Sequence, residues 1–302
     1  MKKKILIIGF GSIGRKHAAI LKKNRHISKI YIFSNQKNIP YNIIKNLNSI
    51  DKLGIDNIII ATHAKSHIKY LRYIEKNLKN KNVLIEKPLF EKEYLVALKA
   101  NNYSVGYNLR FHPLINLIKK KINKKKIWFY RVFSSSYLPY WRKNIHYSKS
   151  ASGMKKYGGG ALLELSHELD FSMYLLGDLK PSKSMKKKLS NLNIDVDDIY
   201  EVNGFTKSKT YFNISANFFS KNEARDIIIE GENLSIKADL IKNEIQIIEN
   251  NKEKKIQLKK FNMNETYNME HNELISGSLN YSCNLKDGKK VLKLIDKINK
   301  LS

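Results

Sequence analysis

The chain has 302 residues, with 56 lysines and arginines against 27 aspartates and glutamates, and a formal charge of +29. That length buries a sizeable core and makes two domains the natural prior. The single cysteine, Cys283, excludes a disulfide framework and points to a reducing, cytoplasmic setting, and no apolar run approaches the roughly 18 residues of a membrane span. Only seven of the basic residues are arginine and none cluster, which argues against specific nucleic-acid recognition, where arginine supplies the bidentate contacts. The densest basic run, 119–126, reads as solvated lysine surface, and the positive field favours anionic ligands such as dinucleotides.

The N-terminus is basic and then apolar, but the apolar stretch is too short for a signal peptide and runs into glycines, so it reads as a first strand over 4–9. Helices over 12–23 and 66–78 and strands over 29–34, 57–62 and 82–87 alternate after it. Continuous apolar strands separated by helices predict a parallel sheet covered on both faces, a doubly wound α/β domain. A strand over 103–108 and a helix over 114–122 close that part. A long strand over 125–136 follows, then an irregular aromatic stretch, then a helix over 161–177. From 194 to 259 short strands and tight turns predict an antiparallel meander, and a last helix over 289–301 has Val291, Leu294, Ile295 and Ile298 on one face. The expected organisation is a Rossmann α/β domain over 1–121 and an α+β domain with an open, mainly antiparallel sheet over 122–302.

Gly9, Gly11 and Gly14 form a glycine fingerprint after the first strand and at the start of a helix. In that context Gly9 permits the turn, Gly11 lets backbone approach a pyrophosphate, Gly14 allows close helix–strand packing, and the amides of Ser12 and Ile13 face the phosphates. An NAD site usually carries Asp or Glu about 20 residues further on. Here the tip reads Ser34, Asn35, Gln36, Lys37. Ser34, Asn35 and Lys37 suit a 2′-phosphate, so the reading leans to NADP over NAD, although asparagine also serves a bare ribose. Ala61, Thr62 and His63 end the next strand, near where a nicotinamide would lie. Ser66 reads as a helix cap and His67 as structural. Lys87 ends the strand after that, pinned by Pro88, where a desolvated lysine suits proton transfer, against the alternative of a solvated lysine.

Gly158 to Gly160 bring backbone close to something and then a helix starts. Glu164, His167, Glu168 and Phe171 fall on one face of that helix, so that a carboxylate could orient His167 as a general base, with Asp170 a second candidate partner. The alternative is a polar face under solvent. Two or three ligands on one helix are too few to make a metal site the expectation.

Together these motifs resemble the glucose-fructose oxidoreductase and inositol dehydrogenase family, Gfo/Idh/MocA. The residues that carry the resemblance are "GFGSIGRKH", "ATHAKSH", "EKP" at 86–88, "GYNLRFHP" at 106–113 and the glycine-rich lead into a helix bearing an acid and a histidine. The resemblance implies hydride transfer between NAD or NADP and a hydroxyl or keto carbon of a sugar or amino-sugar derivative. It makes Lys87 the catalytic lysine, with a Lys87–Pro88 bond that can be cis. It makes His167 the acid/base histidine and Glu164 its acidic partner, here three residues apart where many members have four. Glu86 and Asn108 fall on the cofactor side, and Arg110 and Phe111 belong to a cleft-lining motif. Arg110, Tyr137, Trp141, Arg142, Tyr157 and Glu168 are the candidate sugar contacts. The aromatic stretch is similar to a branch associated with surface-polysaccharide sugars, including nucleotide-linked ones. An open sheet implies a homo-dimer or homo-tetramer. The competing expectation is a catalytically silent nucleotide-binding protein of the same fold.

Overall fold

The computed structural model describes residues 2–143 and 145–302. By contact the chain divides into two units, Met1–Phe111 with Asn262–Lys289, and His112–Phe261 with Lys290–Ser302. Among the described residues no helix is long and apolar enough to cross a membrane.

The first unit opens with β1 (Lys3–Ile8), α1 (Ser12–Leu21), β2 (Ile27–Phe33) and β3 (Asn42–Ile44). It continues with α2 (Ile50–Leu53), β4 (Asn57–Ile60), α3 (Ala64–Asn77), β5 (Asn82–Ile85) and β6 (Asn102–Val105). These strands are parallel in the order β3-β2-β1-β4-β5-β6. That is the order of a dinucleotide-binding sheet, with its switch point at β1 and β4. The reason is visible in burial. Ile5 to Ile8, Ile58 to Ile60 and Val83 to Ile85 are all 0% exposed, as strands covered on both faces must be. Each such aliphatic side chain contributes roughly 1.5–3 kcal/mol on burial. The crossover from β5 to β6 has no helix: residues 91–100 are irregular. Glu75 on α3 anchors its end, accepting from the amides of Lys99 and Ala100 and from the Tyr103 hydroxyl.

The second unit begins with α4 (Pro113–Ile122) and the long strand β7 (Ile127–Ser135), followed by α5 (Ala161–Glu164) and α6 (His167–Leu176). Then come β8 (Leu179–Lys187), β9 (Ile199–Thr206), β10 (Tyr211–Asn217), β11 (Ala224–Gly231), β12 (Leu234–Asp239), β13 (Glu244–Glu249) and β14 (Lys252–Gln257). The sheet order is β14-β13-β12-β11-β7-β10-β9-β8, antiparallel throughout except that β7 and β10 run parallel. Burial alternates along β9 to β13, as a sheet covered on one face requires. The inner face carries Tyr130, Val132, Ile214, Ile227 and Ile236 and packs under α6, where Tyr130 Oη and Ser172 Oγ lie 2.9 Å apart. The outer face presents Phe129 stacked on Tyr211, with Phe205 edge-on to Tyr211. Both outermost strands, β8 and β14, are rich in lysine, which blunts their open edges.

The chain then returns to the first unit with α7 (Asn264–Ser276) and β15 (Cys283–Asn284) before the last helix, α8 (Leu285–Leu301), which the unit boundary divides after Lys289. β15 pairs antiparallel with β6 and closes that edge of the first sheet. This differs from the expected division at 121/122. The physical reason is that Leu274 of α7 enters the apolar core around Ile5, Ile7 and Leu84, and α7 packs on α1. The expected single helix over 161–177 is also two helices. It breaks at Leu165 and Ser166, where Leu165 has φ −99° and ψ 33°.

Candidate active site

The fingerprint turn follows from what its glycines must avoid. Gly9 has φ +100°, and a Cβ there would sit 2.5 Å from the Ala61 carbonyl oxygen. A Cβ on Gly14 would sit 2.3 Å from the Gly9 oxygen, so α1 and β1 approach only with glycine at both positions. At Gly11 a Cβ would meet nothing within 4 Å. That open space lies at the N-terminus of α1, where the amides of Ser12 and Ile13 have no acceptor within the helix. An anion is stabilised at such an end, and the donors present fit a pyrophosphate.

The tip of β2 places Ser34, Asn35 and Lys37 immediately after Phe33, the last two exposed. Ser34 Oγ accepts from the Gln36 amide at 3.2 Å. Arg15, which the residue pattern did not single out, reaches the same tip. Its Nη2 donates to Gln36 Oε1 at 2.7 Å, its Nε donates to the Phe10 carbonyl at 3.2 Å, and its guanidinium lies over the Phe10 ring. The signal was available: an arginine one residue past the third glycine, on the helix that faces β2.

Ala61, Thr62 and His63 leave β4, and α3 starts at Ala64 with His63 as its N-cap residue. Ser66 lies inside the first turn, past the cap position that His63 occupies, and so does not cap as expected. His67 is structural: its ring nitrogens lie 3.1 Å from the Leu89 carbonyl and 3.0 Å from the Thr62 carbonyl. Burial lowers its pKa, so the neutral ring donates to one of them at a time.

Lys87 is half-buried at the carboxyl end of β5, and the Lys87–Pro88 bond is cis. Glu86 is buried, and the protein engages both of its oxygens. Oε1 lies 2.8 Å from His17 Nε2, and Oε2 accepts from the Lys87 amide at 3.2 Å. Gly106 makes room for this carboxylate, since a Cβ there would lie 3.0 Å from Oε1. The motif at 106–113 is likewise turned inward. Asn108 Nδ2 donates to Thr266 Oγ1 at 2.6 Å, and Arg110, 3% exposed, pairs with Asp287 at 3.0 Å. Phe111 is buried against Tyr281. Glu86, Asn108 and Arg110, expected as cofactor and sugar contacts, are here engaged with partners inside the first unit.

In the second unit the helix break changes the expected face. Glu164 ends α5, His167 begins α6, and both are half-buried. Glu168 and Asp170 are buried. Glu168 Oε1 accepts from Arg225 Nε at 3.0 Å and has no exposed side-chain surface, so it is a packing partner of β11 rather than the sugar contact expected of it. Two of the three glycines are explained by the chain itself. A Cβ on Gly159 would lie 2.5 Å from the carbonyl oxygens of Ala151 and Ser152, and one on Gly160, at φ +114°, 2.4 Å from Asp197 Oδ1. Asp197 Oδ2 accepts from the Leu162 amide at 2.9 Å and so caps α5; its burial raises its pKa.

Of the aromatic stretch, Trp141 is committed to packing. Its Nε1 donates to Ser136 Oγ at 2.7 Å, and its ring meets Phe218 edge-on. Arg142 donates to Ser152 Oγ at 3.3 Å. Tyr137 lies edge-on to Tyr140, which is 71% exposed, and Tyr157 carries Lys156 over its ring, so these tyrosines keep surface available.

No curated protein sequence matches the chain. Among solved structures it is similar to levoglucosan dehydrogenase in complex with NADH and levoglucosan, with a TM-score of 0.84 and 18% identity over 99% of this chain and 97% of that one. It is also similar to the UDP-N-acetylglucosamine 3-dehydrogenase GnnA from Acidithiobacillus ferrooxidans, with a TM-score of 0.77 and 15% identity over 100% and 98%. A third is GenD2 from gentamicin A biosynthesis in complex with NAD, with a TM-score of 0.80 and 16% identity over 99% and 93%. At such identities the likeness establishes the fold. The C-terminal alpha/beta domain of the oxidoreductase family Gfo/Idh/MocA matches residues 131–297, more than half of the chain. With its own Rossmann sheet, its glycine turn and its Glu-Lys-Pro at the end of β5, the chain belongs to the Gfo/Idh/MocA family of oxidoreductases.

Proposed function

We propose that the chain is an NADP-preferring dehydrogenase acting on the hydroxyl or keto carbon of a sugar or amino-sugar derivative, including nucleotide-linked ones. The observation that carries it is Lys87, half-buried at the carboxyl end of β5, on the rim of the sheet whose β1 turn leaves open space at Gly11. Three proteins of similar fold support the same class: one named with NADH and levoglucosan, one as a UDP-N-acetylglucosamine 3-dehydrogenase, and one in complex with NAD.

The turn at Gly9, Gly11, Ser12, Ile13 and Gly14 holds the pyrophosphate, and Ser34, Asn35, Lys37 and Arg15 hold the adenosine ribose with its 2′-phosphate. Ala61, Thr62 and His63 border the nicotinamide half, which when bound accepts or supplies the hydride. His167 takes the hydroxyl proton in oxidation and returns it in reduction, with Glu164 its acidic partner. Lys87 stabilises the developing oxyanion with a fixed positive charge. Tyr137, Tyr157 and Arg142 contact the sugar. Self-association through the outer face of the second sheet, where Phe129, Tyr211 and Phe205 cluster, gives a homo-dimer or homo-tetramer.

Titration of the chain with NADPH and NADH, read by nicotinamide fluorescence, tests the cofactor half. Tighter binding of NADPH is expected, and binding of neither would overturn the dehydrogenase reading. A panel of sugars and UDP-sugars with the preferred cofactor, read by nicotinamide absorbance, tests the substrate class.

A further inference from the structure

The first unit contains a buried polar chain that hydride transfer does not require. His17 on α1 and His271 on α7 are both 0% exposed, and Glu86 is 6% exposed. His271 Nε2 lies 2.7 Å from His17 Nδ1, and His17 Nε2 lies 2.8 Å from Glu86 Oε1. Glu86 Oε2 then accepts from the Lys87 amide. At the far end His271 Nδ1 is buried with no hydrogen-bond partner among the described residues.

That terminal nitrogen fixes the direction of the chain. A neutral ring has one N–H and one lone pair. If His271 holds its proton on Nε2, it donates to His17 Nδ1, His17 donates from Nε2 to Glu86, and Glu86 is a carboxylate accepting two hydrogen bonds. Only a lone pair is then left over. If His17 donates toward His271 instead, the His271 proton moves to Nδ1 and becomes a buried donor with no acceptor, which carries the full desolvation penalty. An imidazolium at His17 has the same consequence. Burial, followed by the neighbouring His17, holds the His271 pKa well below the usual histidine value, in keeping with a neutral ring. Burial lowers the pKa of Lys16, which lies over the Tyr267 ring, and the Glu86 charge opposes that shift. Glu270 is a further buried carboxylate on α7.

We infer that His271 and His17 are positioning residues: a one-way hydrogen-bonded chain of imidazoles that orients the Glu86 side chain, and through its bond to the Lys87 amide holds the catalytic lysine in place. The role of Lys87 rests on the dehydrogenase reading; the chain itself does not. α7 thus brings a working part to the first unit from the far end of the sequence.

The test uses the ligand-free full chain, so failure to bind NADPH overturns the dehydrogenase reading and leaves this test intact. Imidazole ¹⁵N spectra at neutral pH are expected to show both rings neutral and protonated on Nε2. An imidazolium at His17, or a proton on Nδ1 of His271, overturns the inference. His271→Leu keeps bulk and removes the donor, and amide exchange at Lys87 is expected to speed about tenfold through loss of one hydrogen-bond support. His271→Gln, which can donate to His17, restores slow exchange. Unchanged exchange in a folded His271→Leu chain overturns the inference, as does equally fast exchange in both variants. Where His271→Leu does not fold, the wild-type spectra and His271→Gln decide.

Discussion

The two sheets solve the problem of burial in opposite ways, and the difference decides what each can offer a ligand. The parallel sheet of the first unit is apolar on both faces, so its chemistry is confined to the strand ends: the turn after β1, the tips of β2 and β4, and Lys87 after β5. Backbone geometry builds most of that rim, as the left-handed Gly9 and the crowded Gly14 show. The antiparallel sheet of the second unit is covered on one face, and its polar residues at α5 and α6 are either locked, like Glu168, or left half-buried, like Glu164 and His167. The first arrangement tolerates few backbone changes. The second separates residues that hold the sheet from residues left half-buried where α5 ends and α6 begins.

Four substitutions or conditions would break or sharpen that contrast. The largest effect is expected from Glu168→Ala, which strands Arg225 beside α6. Breaking a buried pair costs about 3–5 kcal/mol, so denaturant unfolding should show a large loss of stability while NADPH affinity holds. A stable variant with altered sugar affinity would return Glu168 to the substrate side. Next, Lys87→Met should lower kcat by about 10²-fold or more with cofactor binding intact, a barrier increase near 2.7 kcal/mol. Near-normal turnover would remove Lys87 from the reaction.

The third concerns pH. Burial chiefly, with the Arg225 charge adding to it, lowers the His112 pKa to about 4. The geometry agrees: His112 Nδ1 must stay unprotonated to accept from the Leu114 amide and cap α4. The unfolded chain takes up this proton near pH 6.5 and the folded one only near 4. Stability is therefore full above about 6.5 and falls as pH drops through that window, by about 2 kcal/mol between pH 7 and 5. Thermal unfolding of the wild type and of His112→Asn, which keeps a capping oxygen but does not titrate, checks this; identical pH profiles would refute it. The smallest effect is expected at the β2 tip, where Arg15→Ala should reduce the preference for NADPH over NADH about tenfold, as one charge-assisted contact would. An unchanged ratio in paired fluorescence titrations would leave the 2′-phosphate to Ser34, Asn35 and Lys37.

What could be read from the sequence follows the same contrast. Strands buried on both faces leave runs such as Ile5 to Ile8, and a fingerprint glycine answers to neighbours a few residues away, so both are legible locally. α7 was not legible because its buried face includes Thr266, Glu270, His271 and Glu273, to which hydrophobic periodicity is blind. β8 was not legible because lysines line it and its burial does not alternate. The true partners of Glu168 and Arg110 lie 57 and 177 residues away, beyond any spacing rule, so both looked like exposed functional groups. His17 finds its imidazole partner only when α7 returns to the first unit, 254 residues further along the chain.

The two-residue strand β15 has a consequence for how the protein is made. β6 waits for its edge partner until Cys283 and Asn284 have left the ribosome, and Asn102 waits likewise for the Gly277 carbonyl that its side chain binds. Residues His112–Phe261 of the second unit are translated in that interval, roughly 10–40 s at ordinary elongation rates. During that time the nascent Rossmann sheet presents an unpaired strand and the bare apolar seat of Leu274. Chaperone occupancy on stalled nascent chains should therefore persist past Phe261 and fall only once residues beyond about 289 emerge.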